Sequence, residues 1–154
     1  MTHPDHHKPI ILGWREWAAL PGLEIKRIKA KLDTGAKTST LHAFYVEPYR
    51  HKGAAWVRFG VHPLQRNKKV ERLCHAEIQD QRWITDSGGH KDKRFVITTP
   101  LQIGTLVFPI ELTLTNRDNL QFRLLVGRTA LSKHFVIDPS RSYVIGKPVR
   151  KEKR

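Results

Sequence analysis

Short runs of alternating apolar and polar residues, punctuated by glycine, proline and aspartate, extend through almost the whole chain. Over 25–32, Ile28, Ala30 and Leu32 fall on one side and Lys29 and Lys31 on the other, the period of two that a half-buried strand requires. Over 54–61 the pattern returns, with Ala55, Val57, Phe59 and Val61 set against Trp56, Arg58 and Gly60. Further strands are predicted at 10–14, 41–46, 94–99, 106–115 and 124–126, and over 70–84 as one long strand or two parted near Asp80-Gln81. Short strands at 135–137 and 143–145 close the chain around Asp138-Pro139-Ser140. Turns are predicted at 20–23, 62–69, 86–92 and 103–105, where proline, glycine or aspartate clusters. The one predicted helix is short, 129–133. Many short strands separated by turn signals predict an all-β fold, a barrel or a sandwich. Residues 1–9 read as a flexible N-terminal arm and 147–154 as a basic disordered tail, which leaves 10–146 as one domain.

Composition narrows the setting. A chain of 154 residues is long enough for one domain with its own core. The single cysteine, Cys74, permits no intrachain disulfide, which suits a reducing compartment. The polar, His-rich stretch 1–9 lacks the apolar core of a signal peptide, and no apolar run approaches the ~20 residues that span a bilayer. These features predict a soluble, cytoplasmic protein without membrane contact. The charge is the unusual part: 28 Lys+Arg against 14 Asp+Glu, a formal net charge of +14. Such a balance favours acidic partners, whether nucleic acid, the ribosome or a glutamate-rich polypeptide, against the plain alternative of general solubility. Basic residues interleave with aromatics at Trp56, Arg58, Phe59, Arg66, Arg82 and Trp83, yet no nucleic-acid recognition motif is present and such stripes read first as strand faces.

The candidate chemistry begins at Leu32-Asp33-Thr34-Gly35-Ala36, where the strand over 25–32 delivers an acid into a tight turn. Gly35 lets the backbone pass close to a neighbour, and the Thr34 hydroxyl can hold the turn by a hydrogen bond. A second element, Leu124-Leu125-Val126-Gly127-Arg128-Thr129-Ala130-Leu131, is an apolar run that ends in Gly-Arg and leads into the short helix. An apolar residue followed by Asp-Thr-Gly-Ala resembles the catalytic turn of aspartic peptidases, and the second element resembles the supporting signature of retropepsins. The longer stretch Lys31 to Ala43, with Asp86-Ser87-Gly88-Gly89-His90, Leu112 to Arg117 and Leu125 to Leu131, is similar to a bacterial family named as ATP-dependent zinc proteases. These are retropepsin-like, RimB-like proteins associated with RimK-type glutamate ligases, and the resemblance spans roughly 10–146.

That resemblance implies a retropepsin-like closed β-barrel and an aspartic endopeptidase. Asp33 would be the catalytic acid and base, Thr34 and Gly35 would shape its turn, and Leu125, Val126, Gly127 and Arg128 would support it. Ala36, Lys37, Ser87, Gly88 and Gly89 would line or cover the cleft. Two carboxylates must share a water for this chemistry, and the chain has one Asp-Thr-Gly. A homodimer that pairs Asp33 with its copy supplies the second; Asp86-Ser87-Gly88 within one chain is the weaker route, since no second apolar-apolar-Gly strand lies between Asp33 and Asp86. Residues 86–92 read as a turn, either at a flap tip or on the plain surface. Where retropepsins commonly place an acid to pair with the Arg of Gly-Arg, this chain has Lys37, so Arg128 is expected to turn to Asp118 or Asp138. A basic cleft would favour acidic substrates.

The zinc in the family's name finds no His-Glu-x-x-His and no Cys-x-x-Cys here, so no metal ligand and no cofactor is assigned. A zinc-dependent peptidase remains a further alternative only through scattered histidines, His42 near Asp33 among them. No phosphate loop is present, so any ATP dependence belongs to a partner. The main alternative to a peptidase is a non-catalytic basic module that docks on a RimK-type ligase or a ribosomal protein.

Overall fold

The computed structural model describes residues 8–85, 88–117 and 121–147. The chain forms strands β1 (Ile10–Leu20), β2 (Ile25–Asp33), β3 (Ser39–Ala43), β4 (Tyr45–His51), β5 (Ala54–Val61) and β6 (Arg72–Glu77). It continues with β7 (Asp80–Thr85), β8 (Lys91–Ile103), β9 (Leu106–Asn116), β10 (Leu124–Gly127), the helix α1 (Arg128–Leu131) and β11 (Phe135–Ser142). The fold is therefore all-β with one short helix, as the alternation predicts.

Eight strands form one sheet in the order β11-β1-β2-β10-β3-β9-β8-β7, and Ala19↔Gln102 pairs β1 back to β8. A second sheet, β4-β5-β6, lies beside it. Val57 and Phe59 of β5 are fully buried against Leu12, Leu20, Ile28, Leu41, Ile97, Leu101, Leu112 and Leu124 of the larger sheet, so the two sheets share one core. Alternation decides which side each strand buries: in β2, Ile28, Ala30 and Leu32 go inward while Lys31 is exposed.

Several boundaries depart from the pattern. The first strand runs on to Leu20 because it pairs with β2 as far as Leu20↔Ile25. The predicted strand over 41–46 is two strands, since Phe44 hands the chain from β3 to β4 and its ring lies where a side chain on Gly60 would stand. The break in 70–84 falls at Ile78 and Gln79, before Asp80-Gln81, because Ile78 and Gln79 spend their amides on Ala55 and Val96 in different sheets. The helix starts one residue earlier than predicted and ends at Leu131. At the C-terminal end a single strand, β11, runs through Asp138-Pro139-Ser140, and no strand forms over 143–145.

The reason lies in one buried carboxylate. Glu16 is wholly buried and accepts the amides of Gly13 at 2.7 Å, Val144 at 2.9 Å and Ile145 at 3.1 Å. It thereby occupies the amides that a strand over 143–145 would spend on a neighbour, and it clamps that segment onto β1. Glu16→Ala strands these three donors and is expected to cost about 3 kcal/mol, read as a lower urea midpoint with an unchanged slope.

Cys74 points inward from β6 while its neighbour His75 is exposed, the opposite facing expected of adjacent strand residues. Its Sγ donates to the Leu23 carbonyl at 3.7 Å, and burial pushes the thiol up to about 11. The raised value favours the protonated form throughout neutral pH. Native protein is therefore expected to resist iodoacetamide at pH 8, with mass spectrometry detecting the adduct only after unfolding.

Candidate functional site

The Asp33 turn sits where two parallel strands end side by side. β2 and β10 pair in the register Val126↔Leu32 and Gly127↔Asp33, so the acid and the glycine stop at the same level. Apolar Leu32 and Val126 anchor both strands in the core and leave the chain free to turn immediately afterwards. Asp33 Oδ1 accepts the Gly35 amide at 3.0 Å, and the Ala36 amide donates to the Asp33 carbonyl at 3.1 Å, closing the turn.

The loop from Asp33 to Ser39 is then stitched to the segment Gly127–Thr129. Gly127 N–H donates to Ser39 Oγ at 3.0 Å, and Arg128 N–H to the Ala36 carbonyl at 2.8 Å. Thr129 donates its amide at 3.3 Å and its hydroxyl at 2.8 Å to the Lys37 carbonyl. Arg128 Nη1 donates to the Gly35 carbonyl at 3.2 Å. A Cβ on residue 127 would stand 2.8 Å from the Thr38 carbonyl carbon and 2.9 Å from the Ala36 oxygen, so only glycine allows this approach.

Among the described residues, Arg128 meets the Gly35 carbonyl and not Asp138. Asp118 lies outside the described residues. Asp138 accepts the Ser140 hydroxyl at 2.7 Å and amide at 3.0 Å, which hold its carboxyl below the usual carboxylate range. Because α1 begins directly after β10, the Arg128 guanidinium is delivered onto the Asp33 loop, and a backbone carbonyl replaces the missing acid.

A cleft of about 710 Å³ opens beside this turn. Asp33, Gly35, Ala36, Lys37, Leu125 and Arg128, all singled out in the sequence, line it. Thr34 instead faces a neighbouring cavity of about 340 Å³ with Arg128, Leu131, Phe135, Ile137 and Pro139. Val126 and Gly127 are buried behind the turn. Asp86 and Ser87 lie outside the described residues; Gly88 and Gly89 follow in the connection between β7 and β8, Gly89 with φ of +86°. β7 contributes Trp83, Ile84 and Thr85 to the cleft, and the Trp83 side chain is two-thirds exposed.

Asp33 is the one carboxylate among the described lining residues; the other charged groups are Lys37, Arg94, Arg117 and Arg128, with His42 on the wall. Arg94 is nearly buried, held by Asp92 Oδ1 at 3.0 Å and bonded to Thr40 Oγ1 at 3.4 Å. Thr40 and Thr113 share a hydroxyl contact of 3.0 Å, and Thr113 Oγ1 donates to the Ser39 carbonyl at 3.2 Å. A hydrogen-bonded floor thus runs from Arg94 under the cleft to the residue that receives the Gly127 amide. Sequence reasoning missed Arg94, Ser39 and Thr129 as parts of the site, since each reaches it only through sheet register.

Zinc does not fit the described residues. Among the described residues, no three of His, Cys, Asp and Glu gather as ligands, and Cys74 is a buried thiol turned toward the core.

Comparison with known proteins places these features in context. The sequence profile of a family described as "RimB-like: Retropepsin-like aspartic endopeptidase RimB" matches residues 11–148. The chain is 42% identical over 136 residues to a "Probable alpha-L-glutamate ligase" of Shewanella pealeana, and 43% identical over 136 residues to one of Desulfotalea psychrophila. Those alignments take in 88% of this chain, which spans only 30% of the Shewanella protein and 29% of the Desulfotalea protein. A crystal structure of a Legionella pneumophila protein of unknown function is 29% identical with a TM-score of 0.74, covering 90% of this chain and 99% of that one.

Gly127→Ala forces backbone apart at Ala36 and Thr38 and is expected to destabilise the fold by about 2 kcal/mol in urea titration. Its hydrogen exchange should rise first in the 33–39 loop, ahead of β4–β6.

Proposed function

The chain belongs to the RimB-like family, and from that premise we propose that it is a retropepsin-like aspartic endopeptidase that acts on acidic polypeptides. In this reading, 10–146 is the peptidase domain and the β1–β8 pairing closes the larger sheet into a retropepsin-like barrel. One observation carries the reading: Asp33 ends a strand at the wall of a cleft whose remaining charges are cations.

Hydrolysis proceeds through a water held between Asp33 and its copy from a second protomer. Two carboxylates that close cannot both ionise, so they share one proton. The ionised member takes a proton from the water as it attacks the peptide carbonyl, and the protonated member donates toward the carbonyl oxygen. The tetrahedral carbon then breaks its C–N bond as the newly protonated carboxyl gives its proton to the leaving amine and the gem-diol returns one to the other carboxylate. Thr34 and Gly35 keep the carboxylate at the mouth of the turn, and Arg128 restrains the Gly35 carbonyl. The exposed position of Thr34 and the partly apolar cavity beside it suit a two-fold partner that approaches at the turn. Gly88 and Gly89 form the bend of a flap, and Trp83 and Ile84 on its strand close over bound peptide. Lys37, exposed at the cleft, draws glutamate-rich segments to the site, consistent with work alongside a RimK-type glutamate ligase.

A second reading is favoured by the curated relatives, in which the matched segment is a minor part of proteins named as ligases. The fold would then be a docking module on a RimK-type ligase, with the Asp33 turn as inherited architecture.

A diverse peptide library incubated with wild type and Asp33→Asn, at mildly acidic and neutral pH, separates the two by mass spectrometry. The expected result is a set of cuts, enriched around acidic residues, that vanishes in Asp33→Asn while the fold is retained. No cuts, or cuts shared by both proteins, would transfer the assignment to the docking module.

A further inference from the structure

A second basic region lies away from the catalytic turn, on the outward side of β1 and β2. The two strands pair Arg15 with Lys31 and Trp17 with Lys29, so cations and an indole stand side by side. The segment after β11 crosses this face. Tyr143, with φ of +52°, donates its amide to the Arg15 carbonyl at 2.9 Å, and the Glu16 clamp fixes the next two residues. Tyr143 and Lys147 are thereby laid over the strands.

The rings and cations there form one continuous array. The Trp17 and Tyr143 rings lie 6.2 Å apart. The Lys29 ammonium sits 5.2 Å from the Trp17 centroid and 5.5 Å from that of Tyr143, and Lys147 sits 5.7 Å from Trp17. The Arg15 guanidinium lies 4.6 Å from the Trp14 ring and 5.0 Å from that of Tyr143. Such contacts hold the cationic heads in place, and Arg15 Nε also donates to Ser142 Oγ at 3.1 Å.

Cations that sit over aromatic rings and have no carboxylate partner occur, among the described residues, on this face. Arg58 is matched to Glu47, Arg82 to Asp80 and Glu111, and Arg94 to Asp92. Among the described residues, no carboxylate pairs with Arg15, Lys29, Lys31 or Lys147. The one acid in the middle of β1, Glu16, points inward and is saturated by amides. A field of preset, unneutralised cations interleaved with aromatic edges is the chemistry of single-stranded nucleic acid binding, where phosphates take the cations and bases stack on rings or guanidinium planes.

We infer that the Arg15, Trp17, Lys29, Lys31, Tyr143 and Lys147 face binds single-stranded RNA. Phosphates occupy Arg15, Lys29, Lys31 and Lys147, and a base stacks on the Trp17 and Tyr143 edge. The aromatic component favours a nucleic acid over an acidic peptide, which would use the charges alone. The inference is independent of the peptidase reading and survives its failure, because none of these residues takes part in hydrolysis.

The test is fluorescence anisotropy of the full chain with a labelled mixed-sequence RNA oligonucleotide, read across a salt series. Four phosphate contacts predict a log K against log salt slope of about −3. Lys29→Glu with Lys147→Glu is expected to weaken binding at least tenfold and flatten the slope by more than 1. Trp17→Ala should lose about tenfold with the slope unchanged, the signature of stacking. Arg50→Glu with Lys52→Glu, the same charge change on the β4–β5 hairpin, should leave affinity within about twofold once the net-charge effect is matched at high salt. Equal loss in both charge-reversed pairs would overturn the assignment in favour of diffuse charge. Binding of a glutamate-rich peptide on this face, with no binding of RNA, would overturn it in favour of an acidic polypeptide. Equal affinity for duplex RNA with no effect of Trp17→Ala would remove the stacking role. Lys29→Gln with Lys147→Gln, which perturbs folding less, must show the same direction at smaller size, and unchanged thermal melts certify both pairs.

Discussion

The candidate site rests on a close approach between two pieces of main chain. Gly127 lies against the loop that follows Asp33 with no room for a side chain, and that contact allows the bonds between 127–129 and 35–39 to form together. Each bond is ordinary in strength; collectively they turn a solvent-facing loop into a fixed mount for one carboxylate. Ser39 and the two threonines beneath it, Thr40 and Thr113, carry the same rigidity across β3 to β9 and reach Arg94. The position of Asp33 is thus set by sheet register more than by anything the acid itself touches.

The surplus of cations is not spread evenly in its consequences. Where an arginine faces a carboxylate, as Arg82 does with both oxygens of Glu111 at 2.7 and 3.1 Å, the pair ties the β7–β8 hairpin to β9 and the charge is spent internally. Arg82 also holds Glu111 and Asp80 below the usual carboxylate range, so both remain ionised well into acid. Beside the cleft Lys37 is exposed, and across β1–β2 no carboxylate among the described residues pairs with Arg15, Lys29, Lys31 or Lys147. The molecule therefore presents two basic regions with different neighbours: one with a carboxylate at its edge, the other with aromatic rings.

Much of this was legible in the sequence, and the limits of legibility have physical causes. β2 and β5 alternate cleanly because one face of each is buried and the other is wet, and both were read nearly to the residue. The apolar pattern of β1 stops at Trp14, since Trp14, Arg15, Glu16 and Trp17 break it, and the inward Glu16 clamp explains how a polar side chain can sit in a core strand. The same clamp turned the expected last strand into an irregular segment. The Asp33 turn and Gly127 were visible as motifs, whereas Arg94 and Ser39 depend on which strands become neighbours, and single-sequence periodicity does not encode that. The bond from Arg128 to the Gly35 carbonyl is hidden for a related reason: a carbonyl is invisible in a search for opposite charge.

The topology of the mount also sets an order of assembly. The hairpins β4–β5, β5–β6, β7–β8 and β8–β9 join strands adjacent in sequence and can close early at little entropic cost. The parallel pairings of β2 with β10 and of β1 with β11 cannot: Gly35 and Arg128 are 93 residues apart, and Glu16 and Ile145 are 129 apart. On a ribosome the N-terminal strands emerge first and wait for their partners. A partly synthesised chain therefore holds Asp33 in a loop with nothing to fasten it, and its geometry is acquired among the last events of folding, once β10 has been made and threaded between β2 and β3.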